Sequence, residues 1–82
     1  MGFETQDVER KILAILKIIR DSPEALGARI IGRRLKDYGI ELGERAVRYH
    51  LKLMDERGLT QLVGRDGRVI AHLGIEELRS AL

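Results

Sequence analysis

The side chains best placed to do chemistry in this sequence are Arg45, Arg48, Tyr49 and Lys52. Steps of three and four residues put them on one side of an α-helix, while Val47, Leu51 and Met54 share the other side. Guanidinium and ammonium donors in a row, backed by an apolar face, suit hydrogen bonding to a surface of acceptors and negative charge. They do not suit bond making. Two more cations, Arg65 and Arg68, flank the Asp66-Gly67 pair, a turn signal between apolar runs, and both are expected at the tip of a β-hairpin.

The inventory for catalysis is missing. There is no cysteine, so no disulfide framework and no thiolate metal cage, and His50 and His72 have no companions at metal-ligand spacing. No nucleophile stands beside a base, no carboxylates pair on rigid elements, and the glycines of residues 64–67 lie between two strands, where a phosphate-cradling loop would need a strand and a helix. Neither an enzyme nor a cofactor or metal is expected. His50 reads as a packing residue and His72 as a plain strand residue.

Charge is distributed unevenly. The 82 residues carry a net +2, but residues 29–52 alone hold seven basic side chains against three acidic ones, an excess of +4, and each flank comes to −1. Such a local footprint attracts a polyanion. The longest apolar stretch, residues 12–19, is interrupted by Lys17 and is far short of a bilayer span, and Glu4, Asp7 and Glu9 stand where a signal peptide would be basic. The expectation is a cytoplasmic protein. A chain that is 44% hydrophobic and 34% charged has the apolar residues for one modest core, so residues 1–82 are taken as one domain, a piece of a longer chain.

The elements that must position the basic row can be read from period and punctuation. Val8, Ile12, Ile15, Leu16 and Ile19 mark a first helix over residues 7–21, with Asp7 as N-cap and Ser22-Pro23 as its end. Leu13 and Ile18, with Phe3 nearby, widen its apolar stripe and serve either the core or a homodimer contact; Arg10, Ala14, Lys17 and Asp21 form the small or polar face. A second helix spans residues 28–38 on Ala28, Ile31, Leu35 and Tyr38, with Gly39 at its C-terminus and Gly32 marking a close helix crossing. Its Arg29, Arg33, Arg34 and Lys36 either touch phosphates or pair in part with Asp37, Glu41 or Asp21. The third helix, residues 43–57, carries the basic row. Tyr49 within it either meets a sugar or thymine methyl or packs on Leu53 or the second helix.

Strands over residues 59–64 and 68–73 follow, in one of two registers. A two-residue loop pairs Arg65 with Arg68 and Val63 with Ile70; a four-residue loop comprises residues 64–67. A short helix over residues 75–82 closes the chain. Three helices, a two-stranded β-hairpin wing and a short C-terminal helix make an α+β winged helix-turn-helix. In that layout residues 43–57 enter the major groove of duplex DNA, and the wing, residues 64–68, lies on the backbone or minor groove.

The stretch from Arg10 to Ile70, above all "GERAVRYHLKLMDERGL" (43–59) and "GRDGRVI" (64–70), resembles the N-terminal winged-helix domain of the archaeal nitrogen-regulation repressor family, which is grouped with the winged helix preceding bacterial ribonuclease R. The resemblance implies a transcriptional repressor that binds operator DNA as a dimer, with 2-oxoglutarate as effector on separate domains. It also implies DNA-binding roles for Arg45, Arg48, Tyr49, Lys52, Arg65 and Arg68. RNA binding or protein interaction by the same fold stays open, although one phenylalanine and two tyrosines offer few platforms for stacking single-stranded bases.

Overall fold

A computed structural model describes residues 2–81, with side chains from Asp7 onward. The element order is α1 (Gly2–Arg20), α2 (Ala28–Leu35) continued by a 3-10 turn (Lys36–Tyr38), α3 (Glu44–Glu56), β1 (Thr60–Val63), β2 (Gly67–Ile70) and α4 (His72–Ser80). This is the α+β winged-helix layout. The side chain of Phe3 falls outside the described residues.

Ile15, Leu16, Ile31, Leu35, Val47, Leu51 and Met54 are fully buried, so α1, α2 and α3 each contribute one apolar face to a single core. Ile18 and Ala14 belong to that core as well, at 4% and 5% exposure. Ala14 therefore does not sit on a polar face, and Ile18 is not free for a homodimer contact. Leu13 is half-buried against the core. Helix α1 starts before Asp7, which is not its N-cap; the carboxylate instead pairs one turn on with Lys11 at 2.9 Å, and that hydrogen bond holds it below its usual range.

Gly32 lies where the second and third helices cross. A Cβ there would meet the Leu42 carbonyl at 3.3 Å and Val47 at 3.5 Å, so the reading of a close crossing holds. Gly39, at φ 73°, ends the 3-10 turn and lets the Ile40 N–H reach back to the Leu35 carbonyl, which seats Ile40 in the core.

The hairpin follows neither expected register. Val63 pairs with Gly67, Leu62 with Arg68, Gln61 with Val69 and Thr60 with Ile70, around the three-residue loop Gly64-Arg65-Asp66. The Asp-Gly signal marked the turn but not its length, because Gly64 takes the left-handed conformation at φ 70°. A third segment joins the sheet: Leu26 and Arg68 exchange two backbone hydrogen bonds of 3.0 and 2.8 Å, tying the chain that enters α2 to the wing. The second strand ends at Ile70, and His72 opens α4 instead of lying in a strand. Helix α4 approaches closely because Gly74 has no side chain; a Cβ there would collide with the Leu59 carbonyl and the Ile70 side chain.

Candidate nucleic-acid interface

Helix α3 presents Arg45, Arg48, Tyr49 and Lys52 to solvent and buries Val47, Leu51 and Met54. The two faces are those expected from spacing. Tyr49 is 63% exposed, and its ring meets the edge of His50 with centroids 6.1 Å apart at 66°; it borders the same small hollow as Leu53. His50 itself lines a small apolar hollow with Val8, Ile12, Leu53 and Met54. Burial there, helped by the Lys11 charge, lowers its pKa from the usual imidazole value, which fits a packing role.

The two wing arginines have opposite surroundings. Arg65 is exposed at the loop tip. Arg68 is buried at 7% exposure, with its guanidinium 2.9 Å from Asp55, Nε donating to both Asp55 oxygens and Nη1 donating to the Asp66 carbonyl at 3.2 Å. Its expected position at the hairpin tip is corrected. A register slip of one residue between the four-residue loop and the observed three-residue loop turns every side chain of β2 to the other face relative to β1, and Arg68 goes inward to α3. Thr60 Oγ1 adds a 2.7 Å bond to the same carboxylate, so Asp55 joins the end of α3 to both strands.

Arg48 is exposed but engaged. Its Nη2 donates to Glu44 at 2.9 Å, and Nε and Nη2 donate to Asp66 at 3.3 and 3.4 Å. The hydrogen bonds to Asp66, and then to Glu44, raise the Arg48 pKa, while the Arg48 bond and the Ala28 N–H hold the Asp66 carboxyl low. Asp66 also caps α2, accepting the Ala28 N–H at 3.3 Å. From its place in the sequence Asp66 reads only as a turn residue. A signal was present: Gly27, the residue preceding α2, has no side chain to cap the helix, so a partner for its first amides had to come from elsewhere.

On α2 and the 3-10 turn that continues it, Arg29, Arg33, Arg34 and Lys36 are all exposed. Among the described residues none of them pairs with Asp37, Glu41 or Asp21, the last being taken by Arg20 at 3.0 Å. Within residues 29–52 Arg48 is covered by Glu44 and by Asp66 from the wing, so the positive charge left uncovered among the described residues lies on Arg29, Arg33, Arg34, Lys36, Arg45 and Lys52. By contrast, the open groove of about 860 Å³ between α1 and α4 carries Glu9, Glu76 and Glu77 against Arg57, around Ile12, Leu13 and Leu73, a net acidic lining unsuited to a polyanion.

Residues 13–78 match the ribonuclease R winged-helix domain as a family. The chain belongs to that family. Within it, this winged-helix domain is 52% identical over 75 residues to the global nitrogen regulator NrpR of Methanocaldococcus jannaschii, covering 92% of this chain and 14% of the relative. It is 45% identical over 75 residues to the global nitrogen regulator NrpRI of Methanosarcina mazei, covering 92% of this chain and 23% of that relative. A third relative, NrpR of Methanococcus maripaludis, is 52% identical over 67 residues, 82% of this chain and 12% of its own length. The resemblance to the archaeal nitrogen regulators is thus upheld, and the winged-helix domain spans less than a quarter of each of these proteins. No solved structure matches it. Among the described residues no helix is long and apolar enough to cross a membrane.

Proposed function

We propose that this winged helix is the DNA-reading domain of a transcriptional repressor, with α3 in the major groove and the Arg65 loop on the backbone or minor groove. The observation that carries the proposal is the exposed row on α3, in which Arg45, Tyr49 and Lys52 stand without a charged partner among the described residues, on the helix whose Arg48 touches the wing. A helix fits the major groove, and bidentate arginine contacts to guanine supply discrimination while phosphate contacts supply affinity. The relatives' names, global nitrogen regulators, support regulation as the purpose. Arg29, Arg33, Arg34 and Lys36, on α2 and the 3-10 turn that continues it, extend the phosphate contacts. Reading a palindrome requires two copies, with a two-fold contact that does not use the buried Ile18.

Selection on random duplexes followed by fluorescence anisotropy tests this reading. The expected result is a selected site bound more tightly than its scrambled version, with affinity falling steeply as salt rises because several phosphates are neutralised. Absence of binding to any duplex at low salt and high micromolar protein would end it. The family's ribonuclease membership favours RNA as the second reading. Competition by single-stranded or duplex RNA that outmatches the selected DNA would make it the first.

A further inference from the structure

Within the α3 row Arg48 differs from its neighbours in being already occupied. Three hydrogen bonds to Glu44 and Asp66 use its Nε and Nη2 donors. Those two nitrogens form one edge of the guanidinium fork, the kind of edge that takes a pair of acceptors such as guanine O6 and N7. Asp66, for its part, is fixed by contacts that do not involve Arg48. Its carboxylate accepts the Ala28 N–H, its carbonyl accepts Arg68 Nη1, and it lies so close to Gly27 that a Cβ there would sit 2.9 Å from Oδ2. The acceptor is held by the scaffold, and the arginine comes to it.

We infer that Asp66 is a specificity-determining residue: it holds Arg48 in an internal ion pair that a matching base edge displaces and a mismatched one does not. The inference rests on the DNA-reading function proposed above. The pair is half-exposed, with side-chain exposures of 50% for Arg48 and 38% for Asp66, so it is weak enough to be exchanged. On a duplex with no suitable acceptor pair at that position, Arg48 stays with Asp66 and Glu44, its charge is neutralised, and two carboxylates face the phosphates. Affinity for wrong sequences falls, and discrimination widens by repulsion as much as by attraction.

The test is a double-mutant cycle on binding. Asp66→Asn keeps the shape and an oxygen that can accept the Ala28 N–H while removing the charge. The ratio of affinities for the selected and scrambled duplexes should fall about three- to fivefold, chiefly through tighter binding of the scrambled one. In an Arg48→Ala background the same substitution should leave the ratio unchanged. If Asp66→Asn tightens both duplexes equally, Asp66 acts through net charge alone and the inference is wrong. Carboxyl titration of Asp66 by NMR reads the pair without DNA: Arg48→Ala should let its pKa rise toward the usual carboxylate value, and an unmoved value also overturns the inference. A wild-type domain that binds no duplex removes the DNA reading itself, and the inference with it, whereas binding with an unresponsive ratio removes the inference alone.

Discussion

Two arginine–carboxylate pairs join α3 to the wing, and they differ in burial far more than in length. Arg68 and Asp55 meet at 2.9 Å with side-chain exposures of 8% and 25%, while Arg48 and Asp66 meet at 3.3 Å with exposures of 50% and 38%. In the first pair each side chain has lost most of its water and depends on its partner, so removing one leaves a stranded charge. In the second pair water can replace either partner at little cost. One pair therefore belongs to the architecture and the other is available to a ligand, although their chemistry is the same.

The comparison breaks most visibly at Arg68. Arg68→Ala should lower the unfolding free energy by about 3 kcal/mol, because Asp55 is left without its charge partner, and this is a large share of what a domain this small possesses. Urea denaturation followed by circular dichroism measures it, and a wild-type midpoint would show that the pair is not structural. Next in size is Arg48→Ala, which should cost about 1–3 kcal/mol on the selected duplex and narrow the gap to scrambled DNA. Its unfolding midpoint should stay at the wild-type value, because water replaces Asp66 and Glu44 around an exposed guanidinium. The smallest effect is expected at the loop tip, where Arg65→Ala should weaken selected and scrambled duplexes alike and reduce the salt slope by about 1. A loss of sequence discrimination from Arg65→Ala would instead make the wing a reading element.

The helices were legible because each buries one face. Val47, Leu51 and Met54, or Ile31 and Leu35, repeat at the helical period and are buried as that period requires. Gly32 and Gly39 were legible for different reasons, since a glycine inside a helix costs stability and needs a structural cause, whereas a glycine just past a helix is the residue that most readily takes the left-handed turn ending it. The wing was legible as a hairpin but not in register. Loop length decides which strand residues face inward, and nothing local in "GRDG" distinguishes a left-handed Gly64 from a turn centred on Gly67. That single ambiguity misplaced Arg68. The Arg48–Asp66 contact was hidden because its partners are 18 residues apart and meet only once the wing has folded back onto α3. Likewise, Asp7 reads equally well as an N-cap or as the first member of an i,i+4 pair with Lys11, and in the structure it is the second, inside a helix that begins at Gly2.

The backbone bridge between Leu26 and Arg68 bears on how the domain folds. Hairpin and helix-turn-helix each contain short-range contacts that can form early, but this bridge and the cap of Ala28 by Asp66, 38 residues apart, require the chain to close a long loop. Both long-range contacts fall on the same seam, where the wing meets the first turn of α2. Closing the loop once satisfies them together, so neither half gains its full stability without the other. The wing cannot peel away from the domain without uncapping α2, and the two should melt in a single cooperative transition.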